Sequence, residues 1–183
     1  LIISETSITD LFVVNSPRLA DERGEFSRLF CVNALVEKNV NTSIVQINYS
    51  HTIKRGAIRG LHFQIPPAME TKMVRCIQGE VFDVAVDLRA NSATFLQWHA
   101  EILSAEKNNM MVIPEGFAHG FQSLTEDAKM LYLHTACYAP EHEQGLRYDD
   151  PMLNINWPLD CSEISERDKV HSYLKSDFAG ISQ

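Results

Sequence analysis

This 183-residue sequence contains no stretch of about 18 apolar residues, so no membrane-spanning helix is expected. It contains no run of lysine and arginine either: 16 basic residues stand against 24 acidic ones, for a formal charge of −8. A nucleic-acid partner needs a basic face to displace counterions from a phosphate backbone, so that class of partner is excluded. An anionic ligand must instead be held by a few placed cations, against an unfavourable overall field. The opening LIISETSITD has no basic region ahead of a long apolar core, so no secretory signal peptide is expected. It also lacks Met, so the numbering need not start where translation does. Four cysteines, Cys31, Cys76, Cys137 and Cys161, show neither metal-ligand nor redox-motif spacing. They read as buried thiols in a reducing compartment, and the cytoplasm is the expected location. No repeat, low-complexity tract or Gly/Ser linker divides the chain, and residues 1–183 read as one domain.

What recurs is alternation with a period of two, punctuated by Gly, Pro, Asn and Asp. VQINYS places Gln46, Asn48 and Ser50 on one face and Val45, Ile47 and Tyr49 on the other. EVFDVAVDLR sets Phe82, Val84, Val86 and Leu88 against Val81, Asp83, Ala85, Asp87 and Arg89. MLYLHTACY sets Met130, Tyr132, His134, Ala136 and Tyr138 against Leu131, Leu133, Thr135 and Cys137. GLHFQI, KMVRCI, FLQWHAEIL and MMVIP read as further strands. CVNALVEKN and SERDKVHSYLK read as short helices, the second opened by Ser165 with Asp168 three residues later, in the manner of a capping box. A mainly β jelly roll or closed barrel with a few peripheral helices is expected. Several polar faces carry Gln, Asn, His and Tyr where a solvated face carries Lys and Glu. Such a mixture suits the wall of a ligand pocket.

The densest stretch, residues 54–89, gathers Arg55, Arg59, His62 and Lys72 in a chain that is acidic overall. A second, IPEGFAHGF, places His119 after a Pro-Glu-Gly turn, with Tyr132 and Tyr138 beyond it. RGAIRGLHFQIPP, DVAVDLR, IPEGFAHGF and the spacing to LRYDDPMLNINWP resemble the dTDP-4-dehydrorhamnose 3,5-epimerase family, from about DERGEF through SERD. The resemblance implies a cupin-like jelly-roll barrel, a homodimer, and a nucleoside diphosphate-linked 4-keto-6-deoxyhexose as substrate. It implies His62 as base, Asp168 as the carboxylate orienting it, Tyr132 as proton donor on the opposite face, and Lys72 beside the enolate oxygen. Taken singly, each has a plainer reading: a structural histidine, a helix cap, a barrel-lining aromatic, a lysine flanking a strand.

The resemblance carries over ligand contacts as well. Arg59 matches a residue on the diphosphate, and Arg23 with Phe26 matches residues reaching in from a partner subunit. Gln46 and Asn48 match polar contacts, Tyr138 an aromatic beside the nucleotide, and His119 and Glu143 the same region. No cofactor is implied, because the activating carbonyl is already in the substrate. Two departures stand out. Where many relatives carry a carboxylate against thymine, this chain has Arg28, which reverses the hydrogen-bond demand and leaves a CDP- or GDP-linked sugar open beside a solvent-facing Arg28. Where many cupins carry His-x-His for a metal, this chain reads His62-Phe63-Gln64, leaving His62, Glu70 and His119 as the remaining metal-ligand set. A metal-dependent cupin and a non-catalytic nucleotide-sugar binding module are the rival readings, together with an enzyme that moves the ketone between C4 and C3.

Overall fold

A computed structural model describes residues 1–182. The chain begins with β1 (Ile2–Glu5), β2 (Phe12–Asn15), β3 (Arg18–Asp21), β4 (Gly24–Ser27) and α1 (Val32–Val36). The alternating segments follow as β5 (Gln46–Thr52), β6 (Ile58–Gln64), β7 (Lys72–Gln78), β8 (Glu80–Asp87) and β9 (Trp98–Ser104). Last come β10 (Asn109–Ile113), β11 (Phe117–Ser123), β12 (Ala128–His134), β13 (Glu143–Gly145) and α2 (Glu166–Lys169). All ladders between named strands are antiparallel. Six strands pair in the order β1-β2-β10-β7-β12-β5 and five in the order β13-β6-β11-β8-β9, with β3-β4 as a separate hairpin. The two large sheets form a cupin-like jelly roll, the mainly β architecture that the alternation implied.

The core lies in three layers. Between the sheets, Val74, Met111 and Met130 of one meet Val81, Ala85 and Phe121 of the other. Outside the five-stranded sheet, Leu61, Phe63, Val84 and Val86 are covered by Leu174, Phe178 and Ile181 from the C-terminal segment. Outside the six-stranded sheet, Val14, Met73 and Val112 pack beneath Leu35 of α1. Both faces of β8 are therefore covered. Its apolar side meets the C-terminal segment, and the side carrying Asp83 points into the barrel.

Four expectations need correction. SERDKVHSYLK is helical for a single turn, because the chain after Lys169 leaves the helix axis to seat Leu174 on the sheet, where its N–H donates to Asp150 Oδ2 (2.6 Å). MLYLHTACY stops being strand at His134. Beyond it, the Gln64 side chain accepts from the Ala139 N–H (2.7 Å) and donates to the Cys137 carbonyl, while Gln46 accepts from the Tyr138 N–H, holding 137–139 as a loop. FLQWHAEIL becomes strand at Trp98, after Leu96 turns with φ of 60°. Of the four free cysteines Cys76 alone is buried, and Cys137 is exposed.

Candidate active site

A cleft of about 970 Å³ opens between the sheets. It is lined by His62 and Arg59 of β6, Lys72 of β7, His119 of β11, Tyr132 and His134 of β12, Asn48 and Ser50 of β5, and Arg167 and Asp168 of α2. Strand parity explains the gathering: Tyr132 and His134 share an inward face and sit opposite Asn48 and Gln46 in the ladder. On the other sheet His62 pairs with His119. That pairing depends on two glycines. A Cβ on Gly60 would lie 2.7 Å from Gly120 Cα, and one on Gly120 would lie 2.7 Å from the Arg59 carbonyl. Only glycine lets β6 and β11 approach so closely, and at Gly60 φ is +112° besides.

His62 Nε2 lies 2.7 Å from Asp168 Oδ1. An ionised carboxylate only accepts, so Nε2 bears a proton, and in the neutral imidazole the lone pair is on Nδ1. Asp168 is itself anchored: Oδ2 accepts the Gly60 N–H (3.1 Å), and its own N–H donates to Ser165 Oγ (3.1 Å). The helix cap is thus made by Ser165, while the Asp168 carboxylate turns away to the histidine. Burial works against ionisation of Asp168, but the His62 hydrogen bond and charge, with the Gly60 and Ser165 donors, hold its pKa at about 2.

Tyr132 faces the cleft from the opposite sheet, its hydroxyl 2.8 Å from Ser50 Oγ. Burial pushes its pKa well above the ordinary phenol value, so it is a neutral O–H donor across the physiological range. His119, packed edge-on to Tyr132, directs Nε2 at both oxygens of buried Asp83, each at 3.0 Å. Burial pushes Asp83 up and His119 down, both toward their neutral forms. Lys72 Nζ lies 3.3 Å from Glu70 Oε1, and Arg167 forks onto Glu143 at 2.9 and 3.2 Å. Arg59 is different. Its Nε donates to Thr52 Oγ1 and one terminal nitrogen to the His51 carbonyl, and among the described residues it is the cleft cation without a carboxylate partner.

An adjoining recess of about 210 Å³ shares Asn48, His62, Lys72 and His134 with the cleft and adds Gln46, Tyr138 and Glu143. Tyr138 is half exposed and donates its hydroxyl to Glu143 Oε2 (2.7 Å). Ten of the thirteen residues expected in the site are therefore brought together. Arg23, Phe26 and Arg28 are not: all three are exposed on or just after the β3–β4 hairpin, outside this chain's own cleft, and Arg23 is paired with Asp21.

The metal set weighed from sequence is not assembled, since Glu70 is committed to Lys72 and His134, and His119 to Asp83. A different trio, His62, Asp168 and His171, has its ligand atoms within 4.8 Å of one another. A guanidinium nitrogen of Arg167 stands 3.1 Å from His62 Nε2, so a fixed cation already occupies the approach to that group. His171 owes its place to Gly145, opposite His62 in the ladder, where any Cβ would collide with the imidazole. His134, Arg167 and Ser50 are site residues that no role was read for, and Glu70 was considered only as a metal ligand. His134 and Ser50 already stood on inward-facing polar strand faces, which was the available indication.

The sequence model of the family described as dTDP-4-dehydrorhamnose 3,5-epimerase matches residues 5–176. A dTDP-4-dehydrorhamnose 3,5-epimerase of Pseudomonas aeruginosa is 47% identical over 165 residues, covering 89% of this chain and 90% of the relative. The solved structure of a dTDP-6-deoxy-D-glucose-3,5-epimerase from Legionella pneumophila, in complex with dTDP-4-keto-L-rhamnose, is similar with a TM-score of 0.91. It is 37% identical and matched over 100% of this chain and 98% of its own. A dTDP-4-dehydrorhamnose 3,5-epimerase from Bacillus anthracis, with TDP and PPi bound, is similar at TM-score 0.91 and 36% identity, over 94% of this chain and 99% of its own.

Proposed function

This chain belongs to the dTDP-4-dehydrorhamnose 3,5-epimerase family, and from that premise we propose that His62 and Tyr132 invert C3 and C5 of a dTDP-linked 4-keto-6-deoxyhexose. The protein is an enzyme of the isomerase class, and its activity is that 3,5-epimerisation. The observation that carries the residue assignment is that a carboxylate-bound imidazole and a neutral phenol face the same cleft from opposite sheets.

The ketone at C4 acidifies the hydrogens at C3 and C5, because either carbanion is delocalised onto O4 as an enolate. His62 Nδ1 takes the proton, and Asp168, ionised at every pH where the imidazole works, stabilises the imidazolium that forms. The Lys72 ammonium meets the charge developing on O4, an electrostatic contribution that is often the largest in such reactions. Tyr132 delivers a proton to the other face of the ring and so inverts the centre. Arg59, with no carboxylate of its own, receives the diphosphate, and Gln46, Tyr138 and Glu143 in the recess, with His119 and Asn48, complete the ligand's surroundings. A pure binding module has no use for a base and an acid disposed on opposite sides. A charged nucleotide sugar does not cross membranes unaided, so the cytoplasm is the compartment this reading implies. Incubation with the 4-keto-6-deoxy nucleotide sugar in heavy water is expected to place deuterium at C3 and C5. Label at neither carbon overturns the reading.

Arg23 and Phe26 enter the reading through a second copy. β5 is an open edge of the six-stranded sheet, and the outward side chains of Ile47 and Tyr49, with Val45 just before it, are 56–62% exposed. Leu19 and Phe26 on the hairpin are 69% and 66% exposed. An apolar edge strand left bare is an aggregation hazard, and a twofold partner covers it. In this arrangement the hairpin of one protomer brings Arg23 and Phe26 toward the cleft of the other. Light scattering is expected to give the dimer mass, and Ile47→Glu to give monomer with activity lowered about tenfold or more; a fully active wild-type monomer refutes the arrangement.

A further inference from the structure

Glu70 has no part in the mechanism above, yet it is placed at its centre. Its side chain is 11% exposed, with Oε1 3.3 Å from Lys72 Nζ. Oε2 accepts a hydrogen bond from His134 Nδ1 at 2.7 Å. The other nitrogen of His134 accepts from the Asn48 side-chain amide at 3.3 Å, and its ring lies nearly parallel to that of Tyr132, 21° apart with centroids at 6.2 Å. One buried carboxylate therefore ties the cation assigned to O4 to an imidazole stacked on the proton donor. A glutamine has one carbonyl oxygen and one amide nitrogen, so it could accept from only one of these two donors; the carboxylate accepts from both and adds a negative charge.

That charge has an evident recipient. The Lys72 side chain is 13% exposed before any ligand is bound, and an ammonium taken out of water sheds its proton more readily unless an anion stands beside it. The titratable and charged groups that face Lys72 or line the same cavities include Arg59 and His62 on β6, Asp83 on β8, His119 on β11, Tyr132 and His134 on β12, Tyr138 and Glu143 beyond it, and Arg167 and Asp168 on α2; β10 offers it only Ile113. Of the other carboxylates, Glu143 is paired with Arg167 and Tyr138, Asp168 with His62 and the Gly60 N–H, and Asp83 spends both oxygens on His119. Burial moves that pair toward neutrality. Burial opposes the ionisation of Glu70 too, but His134 and Lys72 together hold its carboxyl below the usual range.

We propose that Glu70 is a positioning residue for the epimerisation, which with His134 holds Lys72 in place as an ammonium ion beside the enolate oxygen. The inference rests on the epimerase reading only for its consequence in turnover; the state of Lys72 is measurable without it. With lysine labelled at ¹³Cε, the Lys72 resonance, identified by its loss in Lys72→Arg, is titrated in the wild type, in Glu70→Gln and in Glu70→Asp. The midpoint is expected to fall by about one pH unit or more in Glu70→Gln, and by less in Glu70→Asp, which keeps the charge but withdraws it. In parallel, the alkaline limb of kcat is expected to move down with that midpoint while KM stays within about threefold of the wild type. Lys72 midpoints equal to the wild type's in both variants overturn the proposal, even if their activity falls. A wild type that takes up no deuterium refutes the epimerase reading instead, and leaves the midpoints to judge this one.

Discussion

Replacing His62 by alanine is expected to lower deuterium uptake at both C3 and C5 by about 10³-fold or more, toward the upper end of what a positioned general base supplies. Both carbons are expected to depend on the same group, because one enolate oxygen serves both and, among the described residues, the other cleft imidazoles are engaged elsewhere. His119 is tied to Asp83 through both carboxylate oxygens, and His134 spends Nδ1 on Glu70. Nucleotide affinity is expected to change little, since Arg59 and the recess with Tyr138 and Glu143 lie on other contacts. Isothermal titration with dTDP, run beside the exchange assay, separates the two effects. Turnover within tenfold of the wild type removes His62 from the mechanism.

Tyr132→Phe is expected to separate two events that the wild type couples. The phenyl ring preserves the stacking with His134 and the edge contact with His119, so the pocket keeps its shape, while the hydroxyl beside Ser50 is gone. Proton removal by His62 proceeds. With the phenol gone, the carbanion is expected to take back the proton His62 carries, on the face it left. Side-chain exposure of 26% lets that imidazole exchange with solvent. The expected product is substrate labelled with deuterium in its original configuration, with inversion down about 10²–10³-fold. Proton NMR reads label and configuration in one spectrum. Equal losses of exchange and inversion would mean that Tyr132 shapes the pocket and does not donate.

The strands were legible wherever one face is apolar and the other carries hydrogen-bonding groups, as in β5, β6 and β12. The short pieces β1–β4 and β13 were not, since three or four residues are too few for a period of two to stand out. The expected helix after Ser165 failed for a tertiary reason: seating Leu174 and admitting His171 over Gly145 outweigh propensity beyond the first turn. The His62–Asp168 contact spans 106 residues, and no local pattern announces it; only the family resemblance joined the two. Glu70 and His134, 64 residues apart, had no such guide. Sequence showed His134 on the Tyr132 face and Glu70 two positions before Lys72, but the hydrogen bond between them exists only once β7 and β12 lie side by side.

Asp168 follows all thirteen strands in the chain, and its turn of helix is held by its own carboxylate on β6, by the Arg167 fork onto Glu143 and by Arg147 on the Lys169 carbonyl. A nascent polypeptide emerging from the ribosome can thus close its barrel while still chemically silent, because His62 lacks its anion until the last turn arrives. Proteolytic trimming ahead of Ser165 would silence His62 and, by removing Leu174, Phe178 and Ile181, would also bare the outer face of the five-stranded sheet.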